Sequence, residues 1–272
     1  MPELPEVETV KNDLSEKIIG RRMVEIRTRP GRVFRRNPSR ASLRKKLVEK
    51  KITGLERRGK ALLFSLDSGE VLVIRLGMTG QITLCPETVR CSDKHTYLIA
   101  TLDDGYILHY RDIRQFGQVF ITPLSEVEEF LQMGPEPLHD RFRMSHLEQA
   151  LDSPARIKML LMNQRKVAGI GNIYSDEILF AAGINPLRSA RSLTSREMKR
   201  LYHAIRKVLR EGIRKRGSTI RDFRDGLGKP GRYQRYFRVY QRRGQKCVIC
   251  KTPIERVRLG GRSSHFCPCC QH

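Results

Sequence analysis

The stretch ALLFSLDSGEVLVIRL, residues 61–76, decides how the first half of this 272-residue chain is read. Two short runs rich in Leu, Val and Ile, ALLFSL (61–66) and EVLVIRL (70–76), flank Asp-Ser-Gly. Short apolar runs bounded by turn residues are strands. The same pattern recurs on both sides, in MVEIRTR (23–29), KITGLER (51–57), TYLIATL (96–102), YILHY (106–110) and QVFIT (118–122). Repeated short strands with little helix between them predict a sandwich, here over residues 1–122.

The chain begins MPELPEVETV. Proline suits a first helical turn, and the carboxylates of Glu6 and Glu8 suit the positive end of the helix dipole. Val7, Val10, Leu14 and Ile18 recur at helical spacing, and Gly20 stops the helix. Helix capping does not account for Pro2. With the initiator Met removed, Pro2 is a free secondary amine with Glu3 beside it.

Past residue 122 the pattern changes. Residues 123–140 contain MGPEPLHD and read as a linker. Helices are predicted around 145–151, 154–164, 173–182 and 195–215. The last starts with capping-box spacing, Thr194 and Glu197. Residues 217–237 are rich in Gly and Arg without clear periodicity. The tail, 238–272, reads as short strands around cysteines. The fold class expected is multidomain α+β: a sandwich with an N-terminal helix, a helical domain over 141–237 and a zinc finger over 238–272.

Net charge is +24, unevenly spread: Leu187 to Lys246 holds 20 Lys/Arg against 4 Asp/Glu. Arginines interleaved with aromatics, as in RDFRDGLGKPGRYQRYFRVYQRR, point to nucleic acid. No apolar run is long enough to span a membrane. The acidic, helical N-terminus is unlike a secretory signal, so a cytoplasmic, nucleoid-associated location is expected.

Five of the seven cysteines crowd the last 26 residues, while Cys85 and Cys91 stand apart. Cys247-Val-Ile-Cys250 and Cys267-Pro-Cys269-Cys270 form two pairs at zinc-ribbon separation. Cys247, Cys250, Cys267 and Cys270 are the expected ligands of one Zn²⁺, with a Cys267–Cys269 choice also open. Four thiolates leave no open position, so such a zinc is structural. It would staple the turn that carries Arg262. A second motif, Gly169-Ile-Gly171-Asn172, precedes a helix, where backbone amides can bind a phosphate.

Over its whole length the sequence resembles the bacterial formamidopyrimidine-DNA glycosylases, base-excision repair enzymes of the helix–two-turn–helix class. The resemblance rests on MPELPEVE, RRGK (57–60), LGMTG (76–80), RDIRQFG (111–117), MGPEPL (133–138), GIGNIY (169–174), GSTIRDF (217–223) and the tail FCPCCQ. It implies a bifunctional glycosylase and lyase for oxidised purines in duplex DNA, 8-oxoguanine and formamidopyrimidines, ending in β,δ-elimination. It makes the Pro2 amine the nucleophile and Glu3 the general acid/base, with Lys60 and Arg262 completing the catalytic set. An α-amino group titrates near ~8, so part of it is free base at neutral pH.

The resemblance further implies that Met78, Arg114 and Phe116 fill the void left by an extruded nucleotide. His95, Asn172, Lys158 and Tyr240 join Lys60 and Arg262 as expected DNA contacts. Residues 217–237 match a mobile loop that folds over the flipped base, and its glycines suit a lid. Departures from the family's common pattern occur at Tyr97, Ser153, Arg224-Asp225, Ser263 and Cys269. Three other readings stand beside this one: an endonuclease VIII-like enzyme for oxidised pyrimidines, a catalytically silent damaged-DNA binder, and a zinc-ribbon RNA-binding or transcription protein. Leu4 and the long lid favour the purine branch. The molecule is expected to be a monomer.

Overall fold

The computed structural model describes residues 2–89 and 92–272, so Cys91 lies outside the described residues. Seven α-helices and ten strands are formed among them: α1 (Leu4–Ile18), β1 (Met23–Thr28), α2 (Arg40–Leu47), β2 (Ile52–Arg58), β3 (Ala61–Leu66), β4 (Glu70–Arg75), β5 (Gly80–Pro86), β6 (Thr96–Leu102), β7 (Tyr106–Asp112), β8 (Gln118–Pro123), α3 (Val127–Leu131), α4 (Met144–Leu151), α5 (Ile157–Leu161), α6 (Asn172–Ala182), α7 (Ser195–Arg214), β9 (Glu255–Leu259) and β10 (Arg262–Phe266).

By its contacts the chain separates into two units. The first is Met1–Leu131 with Lys215–Arg232; the second is Gln132–Arg214 with Tyr233–His272. This differs from the division expected from sequence. Residues 217–232 of the expected lid group with the sandwich, residues 233–237 and the zinc finger group with the helices, and part of the expected linker is α3.

In the first unit two antiparallel four-stranded sheets, ordered β1-β6-β7-β5 and β2-β3-β4-β8, share one core. Inward residues of both sheets meet there, among them Ile26, Leu98, Leu108 and Tyr110 from one and Leu62, Phe64, Leu72 and Ile74 from the other. Val7, Val10, Leu14 and Ile18 of α1 close the same cluster, as their spacing required. Burying a side chain of this size contributes roughly 1.5–3 kcal/mol. β3 and β4, the stretch that opened the reading, lie in the middle of their sheet, and four of six β4 residues are buried.

In the second unit α7 buries Met198, Leu201, Ile205, Val208 and Leu209 along one stripe. α6 is almost wholly buried and ends at Gly183, whose left-handed φ of 68° closes the helix. α5 is shorter than the predicted 154–164 segment. No helix of the described residues is long and apolar enough to cross a membrane.

Candidate active site and nucleic-acid interface

At the start of α1, Pro2 and Glu3 are both buried, with Glu3 1% exposed. The backbone N–H of Glu3 donates to Glu6 Oε2 at 2.8 Å. The other oxygen of Glu6 accepts from the Ser218 N–H at 2.6 Å and the Ser218 hydroxyl at 3.0 Å. One buried carboxylate therefore fixes both the Pro2-Glu3 backbone and the start of the lid segment. Gly217 precedes that contact with φ 70°, and a Cβ there would meet Glu6 at 2.8 Å. Sequence reading had assigned Glu6 only to the helix dipole.

Residues 216–226 are tied to α1 and β5. Arg216 bridges Asp13, at 2.7 Å, and the buried Asp225, at 2.5 Å. Burial opposes charge on Arg216, but the two carboxylates outweigh it and raise its pKa. Gly226 donates to Asp13 and its carbonyl accepts from Leu84 of β5, while the Gln81 amide reaches the Asp222 carbonyl.

Lys60 occupies a two-residue turn between β2 and β3. Gly59 has φ 56° there, and Arg58 pairs with Ala61. Arg57, three residues earlier, is bound by Glu8 at 2.5 Å.

Met78, Arg114 and Phe116 come together through two loops. Met78 lies between β4 and β5 and is 38% exposed; Phe116 lies between β7 and β8 and is 49% exposed. The Arg114 guanidinium sits 4.6 Å from the Phe116 ring centroid. Asp112, fully buried, joins the loops: it accepts from the Thr79 hydroxyl at 2.5 Å and the Gly117 N–H at 2.8 Å. Thr79 in turn accepts from the Arg114 N–H. A Cβ on Gly77 would strike the Gly117 backbone at 2.6 Å, so the loops pack backbone to backbone. The outward projection of two large apolar side chains is thus built in. Asp112 was missed by sequence reading, although an acid at a strand end beside two Gly-bearing loops is a usable signal.

His95 is half-buried in the turn before β6, and its carbonyl accepts from the Asp112 N–H. Tyr97, two residues on, is buried in the core with its ring against Gly31.

In the second unit Asn172 is the first residue of α6, held behind the Gly169-Ile170-Gly171 turn. Gln164 fixes that turn by accepting from Gly169 N–H and donating to the Ile170 carbonyl. Asn172 Oδ1 is buried with no hydrogen-bond partner among the described residues. Tyr240 is half-buried, edge-on to His265 and Phe237.

Lys158 requires a correction. It was expected at the phosphate surface, yet it is 1% exposed. Its ammonium lies 2.7 Å from Asp176 and donates to the Ser263 carbonyl at 3.0 Å. Asp176 also accepts from the Ser264 hydroxyl and from the His265 N–H, both on β10. The neighbouring Glu177 accepts the backbone N–H groups of Arg238, Val239 and Tyr240. Two consecutive buried carboxylates on α6 therefore grip the finger on either side, a role the sequence reading did not assign to them.

Arg262 is exposed and begins β10, directly after Gly260 and Gly261, whose φ values are 54° and 76°. Two left-handed glycines form the tight hairpin turn that natively joins strands. Cys247, Cys250, Cys267 and Cys270 present their sulfurs within 4.8 Å of one another, while Cys269 is exposed and outside the group. Cys247 and Cys270 are 3.9 Å apart, and Cys250 and Cys267 3.4 Å. A tetrahedral four-thiolate zinc, with Zn–S about 2.3 Å, needs sulfurs about 3.8 Å apart. The donor set fits one structural Zn²⁺, and the four residues are those expected.

A sandwich headed by a buried proline and glutamate, and a basic helical unit carrying a four-cysteine finger, make up a zinc-finger protein with a strongly basic surface. Residues 1–119 match the formamidopyrimidine-DNA glycosylase N-terminal domain, 133–224 the H2TH domain of the same enzymes, and 244–272 the zinc finger found in FPG and IleRS. The formamidopyrimidine-DNA glycosylase of Pelotomaculum thermopropionicum is 43% identical over 100% of this chain and 99% of its own. That of Carboxydothermus hydrogenoformans is 42% identical over the whole of both chains. Among solved structures, a Lactococcus lactis FPG mutant in complex with Fapy-dG containing DNA matches with a TM-score of 0.91 at 34% identity, covering 100% of both chains. The complex of Lactococcus lactis Fpg with abasic-site DNA matches with a TM-score of 0.91 at 34% identity and 99% coverage of both. The chain belongs to the formamidopyrimidine-DNA glycosylase family.

Proposed function

We propose that this protein excises oxidised purines from damaged duplex DNA and then cuts the strand at the resulting site. The reading is supported above all by the buried Pro2-Glu3 pair, held by Glu6 at the head of a chain similar to named glycosylases along its entire length.

The Pro2 amine attacks C1′ of the lesion nucleotide as the bond from C1′ to the base breaks and the base leaves. Glu3 supplies and recovers the protons of sugar-ring opening. A secondary amine yields an iminium ion that has no N–H to lose, so it acts as an electron sink and acidifies the C2′ proton. Loss of that proton breaks the bond from C3′ to its phosphate; a second elimination releases the 5′ phosphate. Lys60 and Arg262 hold phosphates through these steps, and Asn172 and His95 add contacts along the strand. Cys247, Cys250, Cys267 and Cys270 would hold one Zn²⁺ that staples the hairpin carrying Arg262, and four thiolates would leave it no open position for bond breaking.

Extruding a nucleotide leaves a hole whose unstacking costs a few kcal/mol unless something fills it. Met78 and Phe116 fill it and Arg114, lying against the Phe116 ring, faces the orphaned base. We read Lys158 as holding the Arg262 hairpin from within. On this account the protein works on the bacterial chromosome, in the cytoplasm.

The test is a duplex panel with one labelled strand. An 8-oxoguanine or formamidopyrimidine duplex is expected to yield a one-nucleotide gap with phosphate at both ends. Cleavage confined to a dihydrouracil duplex would favour the oxidised-pyrimidine reading, and tight binding without cleavage the silent binder.

A further inference from the structure

One basic groove lies outside every role assigned above. It runs along α7, whose apolar stripe is buried, so its opposite side faces outward. That side carries Arg200, His203, Lys207, Arg210 and Arg214, all exposed and spaced by three and four, a single stripe on a helix of 3.6 residues per turn. The only acids of α7 do not neutralise it. Glu197 is taken by Arg188 at 2.5 Å and Glu211 by Arg238 at 3.2 Å. Among the described residues Lys207, Arg210 and Arg214 form no ion pair.

Beside the stripe is a groove of about 1090 Å³. Its lining is not only charged: Ala181, Ala204, Ile213 and the Tyr202 ring contribute apolar surface. Tyr202 is fixed there, its hydroxyl on the Phe142 carbonyl at 2.9 Å and its ring stacked on Phe142. Arg200 and Arg206 are positioned by the carbonyls of Ala182 and Pro137.

We propose that this groove docks a short acidic peptide segment of another protein, one whose carboxylates alternate with Leu or Phe. Unneutralised cations on the rim complement the carboxylates, and the apolar lining takes the side chains between them. A DNA backbone offers phosphates for the rim but no apolar side chain for the lining, so the mixed surface favours a peptide.

The test uses the full zinc-loaded chain, first saturated with an abasic-site duplex so that its lesion-binding residues are occupied. A fluorescein-labelled twelve-residue peptide of alternating Asp or Glu with Leu or Phe is then titrated by anisotropy. Saturable one-to-one binding is expected. Joint Lys207→Glu and Arg210→Glu substitution should weaken it by about tenfold or more, with abasic-site affinity and melting temperature little changed. Ala181→Trp, which fills the groove and leaves its charges alone, should weaken it too. So should replacing every Leu and Phe of the peptide by Ser. Absence of saturable binding would overturn the proposal, as would affinity unchanged in both protein variants. Equal binding of the Ser peptide would reduce the surface to a charge adsorber. Displacement of the peptide by further duplex, with the charge reversal weakening both, would make the groove a DNA surface instead.

Discussion

At the scale of single residues, the structure rests on a few buried charges whose partners are far away in sequence. Lys158 and Asp176 are the sharpest case, at 1% and 0% exposure of their side chains. Removing one member of a buried pair leaves the other uncompensated, at a cost of about 3–5 kcal/mol. Lys158→Met should therefore lower the melting temperature of the protein. A Lys158→Met protein that melts normally yet binds DNA poorly would return this lysine to the phosphate surface. A second residue-scale expectation concerns pH. The hydrogen bonds of Arg188, joined by those from Thr194, hold the Glu197 carboxyl at about 2. A carboxyl depressed on folding stabilises the protein above its unfolded value near ~4.3 and ceases to do so as pH falls toward 2. Glu197→Gln should flatten that part of the acid limb in denaturant melts; an unchanged limb would deny the Arg188–Glu197 tie any share in stability.

Such residues also mark the limit of reading from sequence. The four cysteines were legible because they sit in two short motifs whose chemistry is local, whereas Pro2, Glu3 and Arg262 were singled out through the family resemblance. Thr79 and Asp112 are 33 positions apart, and Glu6 and Ser218 are 212 apart. No local spacing connects them, so the carboxylates that position the site appeared only with the fold. Lys158 was expected at the phosphate surface from the resemblance alone, and only the fold shows Asp176 and Ser263 around it.

At the scale of elements, strands were legible wherever apolar residues ran together, as in β3, β4 and β6. β5 was passed over because GQITLCP dilutes its apolar residues with Gly, Gln, Thr and Pro. α2, RASLRKKL, was passed over because only Leu43 and Leu47 face the core. The zinc finger is an element with a prediction of its own. Its four cysteines gather at the base of the hairpin, Asp176 holds Ser264 and His265 of β10, and Glu177 holds the 238–240 backbone that leads into the finger. Chelation should abolish lesion binding and loosen the finger, while the sandwich, whose core contains no cysteine, stays folded. This is checked by comparing duplex affinity with the sandwich's hydrogen-exchange protection before and after zinc removal. Undiminished affinity in verified zinc-free protein would contradict it.

At the scale of the whole molecule, charge is the dominant fact. With a net charge of +24, DNA binding should be driven by counterion release. The logarithm of duplex affinity should fall linearly with the logarithm of salt, by roughly 0.9 for each phosphate neutralised. A flat plot would mean that the basic surface does not meet the backbone. Both units carry residues of the proposed chemistry, Pro2 and Glu3 in one and Arg262 in the other, and the reaction scheme assigns bond breaking to the first.

That assignment is tested most directly by borohydride reduction during turnover of an 8-oxoguanine duplex, followed by trypsin and mass spectrometry. The account predicts a covalent protein–DNA adduct carried by the N-terminal tryptic peptide, Pro2 to Lys11, with the bond at the Pro2 nitrogen. An adduct on a Lys60-bearing peptide, or strand cleavage with no trapped adduct at all, would contradict it.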